Sequence, residues 1–270
     1  MKQLSMVMAI AALLGSAGIA SASITPISDR NSTALTDDSS QAGMFNWSVD
    51  GVNQMYQQWF WFRVDGDNTQ HSIDTLPLTG SFATDTNPFV DPAPDTLSLQ
   101  YSGPSFNIQP SWTVRGGAAG SGHADLTETI AINNLGNSPL SIHFYQYCDF
   151  DLGGQPGGDT VSILNALHNT ADQSTAGFSA SETVVTPAPS RWETNFYANT
   201  LNSLNGGAAY DLNDNAGPLG PGDVTWAFQW DLVISPGGTV VISKDKSIVP
   251  TPGSLGLLGL GLVAAGRRRR

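Results

Sequence analysis

The chain has 270 residues, 13% of them charged, and its 23 acidic against 11 basic side chains give a formal net charge of −12. A surface of that sign repels polyanions, which excludes nucleic acid as a partner. A single cysteine, Cys148, excludes an intramolecular disulfide framework, and a lone thiol in an oxidising compartment calls for burial.

Residues 1–22 carry Lys2, an apolar run from Met6 to Ile19 and the small-residue site Ala20-Ser21-Ala22. That is the form of a secretory signal peptide cut between Ala22 and Ser23, and the run is too short for a comfortable membrane span. Residues 23–42, rich in Ser, Thr and Asp, read as an irregular polar leader. From Gly43 the pattern changes to the period-two alternation of strands. Gln58, Phe60, Phe62 and Val64 alternate with Trp59, Trp61, Arg63 and Asp65; Leu97, Leu99 and Tyr101 with Ser98 and Gln100; Trp112 and Val114 with Thr113 and Arg115. Residues 66–94 are loop-like, and the Gly-rich run 116–122 reads as a hairpin connection. Residues 197–204 allow one or two helical turns. The cleanest stripe is Val224, Trp226, Phe228, Trp230, Leu232 and Ile234, which predicts a core strand whose tryptophans are structural. Clusters of Asn, Gly, Pro and Asp separate the runs. The expectation is an all-β chain: one antiparallel β-sandwich of about ten strands over residues 43–246, flanked by the signal peptide and a C-terminal membrane-anchor helix.

Residues 143–151 place His143, Tyr145, Tyr147, Asp149 and Asp151 on one side of a strand. Tyrosines beside carboxylates suit a glycan-binding face; the bland alternative is a sheet covered by its own tyrosines. Asp65 with Asp67 and Asp211 with Asp214 offer oxygen ligands at the close spacing of a Ca²⁺ loop, although neither follows the EF-hand pattern and Asp and Asn also build turns. Asp149 with Asp151 is a weaker case of the same kind. No other cofactor is called for. The four histidines lack zinc spacing, and no G-x-S-x-G nucleophile elbow occurs. Glu128, Glu182 and Glu193 are the only glutamates, and a catalytic carboxylate pair needs a separation that sequence does not display.

The tail, residues 247–270, has three parts in order. Val249-Pro250-Thr251-Pro252 carries two prolines that cannot continue a strand or helix interior. Residues 253–266 are uncharged and span about 21 Å as a helix, short of a hydrocarbon core of about 30 Å. Arg267, Arg268, Arg269 and Arg270 end the chain, and drawing four arginines through a bilayer would cost on the order of 10 kcal/mol, so they stay cytoplasmic. This arrangement resembles the PEP-CTERM sorting signal of exported bacterial proteins. Pro250 and Pro252 match its paired prolines, the four arginines its basic end, and Thr251 stands where that family usually has Glu. The resemblance implies cleavage by signal peptidase and by an exosortase-type enzyme, passage through a membrane-anchored precursor, and a final place at the cell surface or in the extracellular matrix. Losing both end segments would remove five basic residues and no acidic one, for a formal charge of −17. Residues 124–152 and 160–167, with Pro221-Gly222-Asp223, are similar to a module of uncharacterised PEP-CTERM proteins. That likeness implies a sandwich of the broad sugar-binding kind and carries no catalytic residue. The resulting expectation is a non-catalytic module, not an enzyme, that binds glycan such as extracellular polysaccharide, or a neighbouring protein. The alternative is a carbohydrate-active enzyme exported by the same route.

Overall fold

The structure is a computed structural model and describes residues 24–251. The first sheet opens with β1 (Ile24–Asp29), β2 (Ser32–Asp37), β3 (Gly43–Val49), β4 (Val52–Asn53), β5 (Gln57–Val64) and β6 (His71–Ser72). The chain crosses to the second sheet for β7 (Leu78–Thr84), β8 (Thr96–Ser102), β9 (Phe106–Gly116) and β10 (Ala124–Asn134). It returns for β11 (Leu140–Asp149) and crosses again for β12 (Asp159–Leu164), β13 (Thr170–Ser174) and β14 (Phe178–Thr186). β15 (Arg191–Phe196) rejoins the first sheet, followed by the short helix α1 (Asn199–Leu204). β16 (Leu219–Gly222) lies in the second sheet, β17 (Val224–Ile234) in the first, and β18 (Thr239–Pro250) in the second.

The first sheet runs β1-β2-β3-β5-β11-β17-β15, with β4 on β3 and β6 on β5; the second runs β16-β12-β13-β14-β18-β10-β9-β8-β7. Pairing is antiparallel except where β3 meets β5 beside Gly43 and Gln58. The two sheets enclose one apolar core. The all-β sandwich is as expected, but among the described residues it has eighteen strands, nine in each sheet, rather than about ten.

Both expected boundaries of the sandwich move. The stretch read as an irregular leader is the hairpin β1–β2: Ile27 and Ala34 are buried and the Trp47 indole donates to Ser32 Oγ at 2.9 Å. At the other end β18 runs past Lys246 to Pro250, which pairs with Phe178, and the Thr251 N–H donates to the Gly177 carbonyl at 3.1 Å. Proline is tolerated there because pairing with β10 stops at Ala124 and Ile248, which leaves one side of β18 an edge at Pro250. The 66–94 loop is interrupted by β6 and β7. The signal peptide with Ala20, Ala22 and Ser23, and the tail from Pro252 to the arginines 267–270, lie outside the described residues. Among the described residues no helix is long and apolar enough to cross a membrane.

β17 is buried as its stripe predicts. It pairs with β11 on one side and β15 on the other, and Trp226 stacks on Phe150 with ring centroids 5.0 Å apart. The Trp230 indole donates to the Pro187 carbonyl at 3.0 Å. Cys148 is buried, as expected of a lone thiol. At Gly43 the backbone is left-handed, with φ at 56°, and an added Cβ would overlap the Trp59 ring and lie 2.6 Å from the Gln58 carbonyl oxygen. Gly43→Ala is therefore expected to lower stability by about 1–3 kcal/mol through overpacking and backbone strain. Urea denaturation gives the answer, and an unchanged midpoint would refute this account of the glycine.

One part of the interior is charged. Glu128 on β10 faces Lys244 on β18, and Glu182 on β14 faces Lys246, so both ion pairs sit on adjacent rungs of the second sheet. Lys244 Nζ lies 2.9 Å from Glu128 and 3.5 Å from Glu182; Lys246 Nζ lies 2.6 Å and 3.3 Å from the same two. All four side chains are buried. From the first sheet Gln58 donates to Glu128 at 2.8 Å, Gln146 to Glu182 at 2.7 Å and the Trp226 indole to Glu182 at 3.3 Å.

Candidate active site: a carboxylate triad beside two tyrosines

At one end of the first sheet three acids converge. Asp149 is the last residue of β11, Asp151 follows in the next loop, and Asp223 sits between β16 and β17. The β11–β17 register, which pairs Asp149 with Thr225, brings Asp223 to the same place. One oxygen from each of the three carboxylates lies within 4.8 Å of the others. Asp149 is 1% exposed; its Oδ2 accepts from the Tyr147 hydroxyl at 3.3 Å and its Oδ1 has no partner. No lysine, arginine or histidine forms an ion pair with the triad among the described residues.

The triad lines a cavity of about 290 Å³ together with Tyr56, Pro156 and Tyr197. Both tyrosines are tied to the acid-bearing strands through the backbone. The Tyr56 N–H donates to the Asp149 carbonyl and the Tyr197 N–H to the Asp223 carbonyl, each at 3.0 Å. Their rings meet edge to face with centroids 5.7 Å apart and stay partly open to solvent. Beyond them a second cavity, of about 520 Å³, continues past Tyr56 and Tyr197 towards Phe45, Gln57 and Leu201. Together these make a groove with an aromatic divide and acids at one end.

Burial removes water from the carboxylates, and neighbouring charges add to the proton affinity of Asp149 and Asp151. The Asp149 carboxyl is pushed up to about 8, by desolvation first and then by the charges of Asp223 and Asp151. Asp151 is raised by desolvation and by Asp223, and Asp223 by desolvation. Asp159, whose Oδ2 accepts from Gln173 at 2.5 Å, is pushed up to about 6, mainly by burial. At neutral pH Asp149 is therefore the acid that keeps its proton. The same oxygens are close enough to touch one divalent cation.

The other sequence-predicted residues lie elsewhere or are closed off. Tyr145 and Tyr147 are wholly buried: Tyr145 donates to the Tyr210 carbonyl at 2.9 Å, and Trp61 packs edge-on against Tyr147. His143 is held between Asp231 at 2.7 Å and Asp65 at 3.2 Å. The open stacking strip expected along this strand is therefore absent, and only its Asp149–Asp151 end reaches a cavity. The four acids read as Ca²⁺ ligands face basic groups instead. Asp65 faces His143, Asp67 lies 3.9 Å from His71, Asp211 lies 2.6 Å from Arg63 and Asp214 lies 2.9 Å from Arg191. Tyr56, Tyr197 and Asp223 were not singled out from the sequence. Asp223 enters the sequence reading only within Pro221-Gly222-Asp223, ahead of the clean β17 stripe.

No protein-family model matches the chain, and no curated protein matches it in sequence. Solved structures do match in fold. A bacterial glucoamylase complexed with acarbose aligns at a TM-score of 0.53 and 8% identity, over 90% of this chain and 36% of the glucoamylase. A candidate aldose 1-epimerase from Escherichia coli K12 aligns at 0.51 and 11% identity, over 85% of this chain and 99% of that one. A candidate kojibiose phosphorylase from the human microbiome aligns at 0.50 and 6% identity, over 85% of this chain and 30% of the phosphorylase. The chain thus spans about a third of the glucoamylase and nearly all of the epimerase-like protein. At these identities the likeness is one of fold. It is nonetheless a fold found in carbohydrate-processing enzymes, and it overturns the expectation of a non-catalytic interaction module that is not an enzyme.

Proposed function

We propose that the protein is an exported carbohydrate-processing enzyme that performs acid–base chemistry on a sugar held against Tyr56 and Tyr197. Asp149 gives the proton, and Asp151 and Asp223 act as its ionised partners. The observation that carries this reading is the triad itself: three acids share one aromatic-walled cavity, and one of them keeps its proton at neutral pH. Pairs of carboxyls whose proton affinities are driven apart are how one site holds an acid and a base together. The tyrosine faces suit the apolar side of a sugar ring, and the carboxylates suit its hydroxyls. Protonation of an anomeric oxygen by Asp149, with a neighbouring carboxylate stabilising the cationic ring carbon, is chemistry this set can perform.

The test is turnover of a panel of oligosaccharides and free sugars by the parent and by Asp149→Asn. The variant should lose on the order of a hundredfold or more in rate. The parent's rate should fall as pH rises through about 8, where Asp149 gives up its proton. It should also fall on the acid side, where Asp151 and Asp223 become protonated. Chelation of divalent cations should leave the rate unchanged. Full activity in Asp149→Asn would refute the assignment.

The same variant carries a stability prediction of opposite sign. The folded-state proton affinity of Asp149 lies above that of the unfolded chain, so the fold loses stability as pH rises from 3.8 towards about 8. Asp149→Asn removes that loss and should stabilise the fold at pH 7 by on the order of a few kcal/mol, seen as a higher melting temperature. A lower melting temperature would mean that the carboxylate is structural.

The export route belongs to the same proposal and rests on the two end segments. Signal peptidase would cut after Ala22 and an exosortase-type enzyme would act at the tail, which begins where β18 leaves the sheet. Extracellular polysaccharide is then the nearest substrate. Intact-mass analysis of the exported protein should show a chain starting at Ser23 and lacking Arg267–Arg270. A surface form that keeps the arginines would leave a plain membrane anchor.

A further inference from the structure

The charged cluster in the core takes no part in the chemistry proposed above, yet it holds a reactive pair. Lys244 on β18 and Gln146 on β11 come from opposite sheets, and Lys244 Nζ is in contact with Gln146 Oε1. That oxygen is bonded to Cδ at about 1.23 Å, so the amine is within attacking reach of the amide carbon. Both residues are 0% exposed. The Phe60 and Trp230 rings lie 5.2 Å and 5.8 Å from the amine and help to keep water out.

We propose that Lys244 and Gln146 join in an intramolecular isopeptide bond that covalently links the two sheets. The amine nitrogen attacks Gln146 Cδ, the Cδ–Nε2 bond breaks, and ammonia leaves. The lysine ammonium gives up two protons on becoming an amide N–H. One passes to Glu128, 2.9 Å from Nζ, and stays there. The other passes through Glu182, whose Oε1 is 3.5 Å from Nζ and whose Oε2 is 2.7 Å from Gln146 Nε2, to the departing nitrogen. The step needs no oxidant or outside reagent. It leaves one neutral carboxyl, one carboxylate and the Lys246 ammonium, so the buried charge stays balanced.

The neighbours also explain why this pair reacts and others do not. Burial lowers the proton affinity of Lys244, which favours the neutral, nucleophilic amine. Lys246 is driven the other way by the charges of Glu128 and Glu182 and stays an ammonium. Burial and the charge of Glu182 raise the Cys148 thiol, so it does not compete as a thiolate. Fixing amine and amide in contact replaces a bimolecular encounter, an advantage that reaches about 10⁵–10⁸ M in effective concentration.

Tryptic mapping of the exported protein under denaturing conditions tests the proposal. Without the bond, trypsin should release segments 116–191 and 192–244 separately, at their sequence masses. With it, cleavage after Lys244 is blocked, and 116–191 is recovered joined to 192–246, lighter than the two together by one ammonia. The link should be complete in the parent and absent from Lys244→Met and Gln146→Met. Separate peptides from the parent would overturn the proposal without need of any variant. A joined species lighter by one water would place the bond at Glu128 or Glu182 and overturn the assignment to Gln146.

Discussion

In the unlinked Gln146→Met background, Lys246→Met is expected to destabilise the protein by about 3–5 kcal/mol, the range found when one partner of a buried ion pair is removed and its charge is left behind. Lys246 is the closest cation to Glu128, at 2.6 Å, and also lies 3.3 Å from Glu182. Its ammonium and that of Lys244 hold the Glu128 carboxyl below its ordinary value against a large desolvation penalty. The pH dependence follows from the directions. Glu128 stabilises the fold above its unfolded value near 4.5, and that contribution is lost as pH falls through the lower folded value. Lys246 stabilises below 10.5 and loses its contribution as pH rises through the higher folded value. The variant's extra instability should therefore be largest at neutrality and shrink in acid, where protonation of Glu128 removes the stranded charge. Chemical denaturation at several pH values would reveal this. Replacing both lysines and both glutamates by apolar residues together should cost much less than the single change, because no charge is stranded. If the single and fourfold variants are equally unstable, the ionic account is wrong.

Trp226→Ala should cost a similar amount, about 3–5 kcal/mol, for a different reason. Trp226 is buried in β17 and stacked on Phe150, and its indole donates to Glu182. Removing it opens a cavity and takes a donor from a buried carboxylate. Typical domain stability is only about 5–15 kcal/mol, so the yield of folded protein as well as the melting temperature should fall. A variant that folds as well as the parent and loses only activity would make this face part of the binding site.

β17 and β11 were legible because their alternation is nearly unbroken and their apolar stripes have one possible destination. β1 and β2 were not, because Ser32, Thr33, Thr36 and Asp37 look like solvated chain. Their strand character comes from pairing with β3 and from burial of Ile27 and Ala34, which is tertiary information. The strand number was low for the same reason: β4, β6 and β16 have two to four residues and exist only through their partners. Lys244 and Lys246 occupy inward positions flanked by Ile242 and Ile248, and charges in that register read as a solvated face until Glu128 and Glu182 are placed opposite. The candidate site was half visible. Asp149 and Asp151 stood out within one strand end, whereas Asp223, Tyr56 and Tyr197 come from distant parts of the chain and meet only through the β11–β17 register and two backbone hydrogen bonds.

The place of β18 sets the order in which this molecule can be made. It is the last strand of the described chain, yet it lies inside the second sheet, between β14 and β10, and it brings both lysines to glutamates already on those strands. Until it arrives the second sheet is two pieces with exposed inner edges, and two carboxylates face an apolar interior without cations. Pairings such as Ala124 with Ile248 close very long loops, which slows folding. A chain made from its N-terminus would thus emerge almost entirely before it could fold. Its completion would be timed by the release of its final segment, making that strand a quality check: chains shortened before Thr239 should remain open to proteolysis.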